Sequence, residues 1–172
     1  MSHQSASRLR EFPIAWFAMI MGLAGFTIAG NRAALAYGWS FSPGHVLLPA
    51  VGALFALIAT VFAVKCARYP REVLAEIRHP VKLAFVPTVS ISLVLLSIAS
   101  LHQAPGLSRV LWLVGTVLHA LLTLYVLSSW LQHDKYEIAH LNPAWFIPVV
   151  GNILVPIAGV RHANPEISWV FF

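Results

Sequence analysis

Charge is what this sequence has least of. Asp, Glu, Lys and Arg make up 10% of its 172 residues, against about a quarter in a soluble domain. With 59% of the residues hydrophobic and a mean hydropathy of +0.78, an ordinary soluble globular domain is excluded. Cysteine is nearly missing as well. Cys66 stands alone, so neither a disulfide framework nor a cysteine zinc site can form within the chain. No acidic or basic side chain lies in the central part of any long apolar run. A proton-driven pump or secondary transporter commonly places one there, so the absence favours a passive path over a tightly coupled one. Ser128 and Ser129, beside Trp130, have no base and orienting acid with them, and so form no nucleophile arrangement. The expectation is a protein that is not an enzyme and holds no metal or cofactor.

What is present is a succession of apolar runs. A bilayer crossing takes about 20 residues, and five fit: 13–34, 43–64, 82–101, 109–131 and 143–160. The chain then divides into a polar tail, 1–12, a five-helix transmembrane domain, 13–165, and a stub of a sixth helix, 166–172. The first run exceeds the roughly 7 to 15 residues of a signal-peptide core, so it is expected to stay in the membrane. Pro13 suits its first turn, and Asn31 with Arg32 marks its far end. Between Pro70 and Pro80, the charged stretch with Val73, Leu74 and Ile77 at helical spacing reads either as a short amphipathic helix on the membrane surface or as a solvated loop.

The 11 Lys and Arg give a net charge of +5, but they are scattered between apolar runs and make no patch for nucleic acid. Their use is orientation. Eight fall on the side of the tail, and Arg32, Arg109 and Arg161 on the other. The positive-inside rule therefore puts the N terminus in the cytoplasm of a multi-pass cell-membrane protein.

The crossings alternate in character. The second and fourth read as nearly plain aliphatic cylinders, whereas the third and fifth carry prolines and hydrogen-bonding side chains. In the third, Pro87, Ser90, Val94 and Ser97 share one face; in the fifth, Pro148, Asn152 and Pro156 recur every four residues, with Gly151 beside them. The first contains Gly22 and Gly25, a patch that would let a neighbouring helix approach closely. A proline inside a membrane helix frees a carbonyl one turn earlier, which protein or water must satisfy. These stripes would suit the wall of a water-accessible path. The alternative is that the hydroxyls bond back to their own helices and the prolines only bend them. His119, in the fourth crossing, lacks a carboxylate partner for a proton relay and a second histidine at its depth for haem, so it reads as a packing residue.

Three stretches carry a likeness to a known family: Phe12-Pro13-Ile14-Ala15-Trp16-Phe17 running into Met21-Gly22-Leu23-Ala24-Gly25, His79-Pro80-Val81-Lys82 before Pro87, and above all Asn142 to Asn152 with Pro156 and Gly159. The sequence resembles the tellurite-resistance and C4-dicarboxylate transporter family, the TehA-like proteins related to the slow anion channels of plant guard cells. The resemblance implies an all-α integral membrane protein of helical hairpins, arranged as half of a quasi-fivefold ten-helix channel whose odd-numbered helices line a pore. It implies small inorganic anions or C4-dicarboxylates such as malate as cargo, and assembly as a trimer. Carried onto this chain, the pore-lining candidates are Trp16, Gly22, Pro87, Ser90, Val94, Pro148, Asn152 and Pro156. The departure is length: members have ten crossings, and the family's gate would lie beyond this chain. The leading expectation is therefore anion passage by a truncated or half-length member in a lipid bilayer, with a complementary half-protein or further copies as partners. The competing one is a non-transporting fragment or interaction subunit of a full-length homologue.

Overall fold

The computed structural model describes residues 8–132, 143–163 and 165–171. The described residues are mostly helical, and five helical stretches are long and apolar enough to cross a membrane: Ile14–Ala36, Gly44–Arg68, Pro80–Ser100, Pro105–Leu131 and Pro143–His162. Within them lie α1 (Phe17–Ala36), α2 (Gly44–Arg68), α4 (Pro80–Leu83) with α5 (Thr88–Ser100), α6 (Pro105–Gln132) and α7 (Ile147–His162). A short α3 (Pro70–Ile77) joins the second and third spans, and α8 (Pro165–Trp169) follows the fifth. At about 1.5 Å per residue, the 20 residues of α1 cover about the 30 Å of a hydrocarbon core.

Local chemistry accounts for the breaks. α1 runs two residues past the expected end because Asn31 is spent on its neighbour instead. Its Oδ1 accepts from the Ser42 hydroxyl at 2.7 Å and the Gly44 N–H at 2.8 Å, fixing the start of α2. A Cβ on Gly44 would collide with that amide. α1 instead closes at Gly38, whose φ of 64° lets the Trp39 N–H reach back to the Ala34 carbonyl at 2.9 Å, the glycine-dependent closure common at helix ends. The stretch 71–79, left open between helix and loop, is helical over Pro70–Ile77.

The third span is not one continuous helix. His79 Nδ1 accepts from the Val81 N–H at 3.2 Å and so starts α4. A non-α turn follows, and Pro87 stands at the N-cap of α5 rather than inside a helix. Pro148 likewise sits in the first turn of α7. Of the three stripe prolines, only Pro156 interrupts a helix interior, while Pro49 does so in α2. The reading of the second crossing as nearly plain missed that residue.

α5 is the centre of the bundle, packed against α1, α2, α6 and α7. Ile91, Leu95 and Leu96 of α5 meet Phe17, Ile20 and Ala24 of α1, Val51 and Ile58 of α2, and Val126 of α6. A smaller cluster joins Val94 to Trp112, Val155 and Ala158. Lipid tails are as apolar as leucine, so such helices associate through close packing and hydrogen bonds rather than the hydrophobic effect. At the tail end, Lys65 is fully buried and donates to the Phe12 carbonyl at 2.7 Å. It also pairs with Glu76 at 3.0 Å, and Arg10 pairs with Glu72. These contacts tie the tail and α3 to the end of α2.

Candidate pathway and polar seam of the bundle

Hydroxyl groups in α5 first satisfy their own helix. Thr88 donates to Phe85, Ser90 to Pro87, Ser92 to Thr88 and Ser100 to Leu96, at 2.6 to 2.8 Å. The back-bonding alternative therefore describes part of the stripe. Several of the same oxygens also reach other helices. Ser92 Oγ lies 3.2 Å from the Phe17 carbonyl of α1. Ser97 and Ser108 each donate to the other's carbonyl at 2.8 Å, joining α5 to α6.

The fourth crossing is not a nearly plain aliphatic cylinder, which corrects the sequence reading. Ser108, Trp112, Thr116, His119 and Thr123 are all buried. Their offsets of four, four, three and four place them along one helical face. The spacing was visible in the sequence, but each residue was isolated among Leu and Val. Trp112 Nε1 donates to the Val155 carbonyl of α7 at 2.9 Å. His119 Nδ1 lies 3.0 Å from Ser90 Oγ, whose own proton goes to the Pro87 carbonyl. On the other side of the ring, Nε2 lies 3.4 Å from Thr123 Oγ1. Thr123 Oγ1 also lies 3.3 Å from the Pro148 carbonyl. Gly151 lets α7 close on this seam, because a Cβ there would collide with the His119 ring and lie 2.8 Å from Ile91 Cδ1.

His119 thus matches the packing role, and it links Ser90 to Pro148. Pro87, Ser90, Val94 and Pro148 are enclosed by protein in this bundle. Asn152 and Pro156 are half-buried. Trp16 is exposed and stacks on Phe12 with ring centroids 5.6 Å apart. Gly22 and Gly25 have nothing within 4 Å of where a Cβ would sit, so the small-residue patch of α1 meets no helix among the described residues. Open apolar faces remain on α1 (Met19, Leu23, Phe26) and on α7 (Val149, Val150, Ile153, Ile157).

The five membrane-length helices match the five crossings expected from the sequence. The profile of the voltage-dependent anion channel (SLAC1) family matches residues 11–172. The chain belongs to that family. Two uncharacterized transporters of Methanocaldococcus jannaschii are 28% and 29% identical to it over 160 residues each, covering 89% and 88% of this chain and 45% and 44% of theirs. A tellurite resistance protein TehA homolog of Haemophilus influenzae is 25% identical over 138 residues, 80% of this chain and 42% of its own length. The chain spans less than half the length of these relatives. Membership of this SLAC1 family and the five apolar spans make it a multi-pass membrane protein.

Proposed function

We propose that the chain forms half of a path for small anions, with C4-dicarboxylates such as malate as the organic cargo. The observation that carries this is the match of the voltage-dependent anion channel family over 11–172. The absence of any acidic side chain from the middle of the described spans supports it, since a carboxylate there would repel the cargo. In this reading Trp16, Gly22, Asn152 and Pro156 border the path on the faces that α1 and α7 leave open. Pro87, Ser90, Val94 and Pro148 form the layer behind them and hold α5 in place. The path is completed by a complementary five-helix half, on the same or a separate chain, or by further copies of this one, with a trimer as the family-based expectation. The N terminus faces the cytoplasm.

The test is flux in liposomes carrying this chain with a five-helix partner half. Chloride or malate efflux should exceed that of empty vesicles, and Gly22→Phe should reduce it about tenfold, because a ring there fills open space. Efflux no greater than in empty vesicles sinks the reading. The second reading is a non-transporting membrane fragment or interaction subunit of a full-length homologue. Co-purification with a full-length homologue whose conductance then changes would establish it. For orientation, in a Cys66→Ala background an impermeant maleimide added to intact cells should label Tyr37→Cys and spare Leu74→Cys; the opposite pattern inverts the topology.

A further inference from the structure

The bundle end away from the tail is basic. It carries Arg32, Arg109, Arg161, His45, His102 and His162, with Glu166 the acidic residue among the described residues there. Two of the arginines and His162 line a single open cleft of about 420 Å³, together with Leu101, Pro105 and Gly106. Neither arginine forms an ion pair among the described residues.

His162, which lines this cleft, is held from behind by fixed groups. Ser108 is fully buried and gives its hydroxyl proton to the Ser97 carbonyl at 2.8 Å. Its Oγ also lies 2.8 Å from His162 Nε2. With the serine proton already used, the nitrogen must be the donor, so the Nε2–H is anchored and Nδ1 is left free. The Trp112 ring, 6.1 Å from the imidazole and pinned to the Val155 carbonyl, backs the histidine. One wall is the start of α6, a 28-residue helix. Its first-turn N–H groups, at Gly106 and Leu107, have no intrahelical carbonyl to bond and carry the positive end of the helix dipole.

Two guanidinium groups without an ion pair among the described residues and the N-terminus of a long helix border one cleft, beside an imidazole whose Nε2–H is held by Ser108. The geometry points to a binding site for a small doubly charged oxyanion, a dicarboxylate or a phosphate- or sulfate-type group, between the α5–α6 connection and the end of α7. Planar guanidinium forks match carboxylate and phosphate oxygens in pairs. The same chemistry would hold the phosphate of an anionic lipid or a free anion from solution. Binding here does not require that the chain transport anything, so it is read without flux.

The test is sulfate titration of the full chain in phosphatidylcholine nanodiscs by calorimetry. Saturable binding is expected, weakened at least about tenfold in R109Q/R161Q, less in R109K/R161K, and unchanged in R32Q, which lies outside the cleft. Melting temperatures confirm that each variant is folded; should the glutamine pair unfold, the lysine pair and the single R161Q carry the comparison. Adding phosphatidylglycerol to the discs separates the sources. A several-fold loss of sulfate affinity assigns the cleft to lipid phosphate, and an unchanged affinity assigns it to the free anion. No saturable sulfate binding in phosphatidylcholine, or equal affinity in the folded arginine variants and the parent, overturns the site. Flux without sulfate binding removes this cleft alone, and sulfate binding without flux removes the transport reading alone.

Discussion

α2 and the third span containing α5 are similar in apolar content, with mean hydropathies of 2.5 and 2.1 over their apolar 18-residue stretches, yet 11% of the first stretch and 83% of the second are buried within the bundle. Burial here does not follow hydrophobicity. Lipid solvates an aliphatic helix as well as protein does, so α2 gains little from being enclosed. α5 carries Thr88, Ser90, Ser92, Ser97 and Ser100, all fully buried, and each hydroxyl in hydrocarbon needs a partner. Polar content and small side chains, rather than apolar ones, draw this helix to the centre. α2 touches the bundle along one seam, Gly44, Val51, Ile58 and Lys65. These recur every seven residues, the spacing of two helices packed at a shallow angle.

If that contrast holds, the costliest change in α2 lies at the end of its seam and not in its apolar body. Lys65→Met should cost about 3 kcal/mol, because it leaves Glu76 without its cation and frees the Phe12 carbonyl. Adding Glu76→Gln should restore part of the loss, measurable as a double-mutant cycle on thermal unfolding. A pair whose effects simply add would mean the contact contributes nothing.

Next in size is Gly151→Ala at the contact of α7 with the seam. The added methyl meets His119 and Ile91, and overpacking of this kind costs about 2 kcal/mol. Folded yield by fluorescence-detected size exclusion should fall, whereas Gly52→Ala in α2, where nothing lies within 4 Å, should leave it unchanged or slightly raised. Equal losses at the two glycines would break the comparison.

The smallest effect separates two hydroxyls. Ser97→Ala removes a bond between α5 and α6 and should cost about 0.6 kcal/mol, the average for a hydrogen bond between membrane helices. Thr60→Ala in α2 removes an exposed bond to its own helix and should fall within about 0.5 kcal/mol of zero. Steric-trap or denaturant unfolding in the same detergent resolves the difference if it is real.

The crossings and the weight of polar residues in the third and fifth were legible in the sequence, because hydropathy and helical periodicity are local. The family could be read from Phe12 to Gly25 and from Asn142 to Gly159. The seam on α6 was harder. Ser108, Trp112, Thr116, His119 and Thr123 stood at helical spacing in plain view, but one hydroxyl in an aliphatic run can bond its own helix and says nothing of its neighbours. The prolines were legible as helix disturbances and not as to kind, since Pro87 and Pro148 begin helices while Pro156 and Pro49 interrupt them.

By itself, then, the sequence determined that this is an all-helical membrane bundle of the anion channel family with five spans, since those features depend on the order of residues along one helix. Only the tertiary structure decided who partners whom. His119 joins Ser90 to Thr123, Lys65 is buried rather than free at a helix end, and Gly22 faces open space while Gly151 is filled by an imidazole ring. Such outcomes depend on which helix comes within 3 to 4 Å of which, and this distance is set by side chains far apart in the chain.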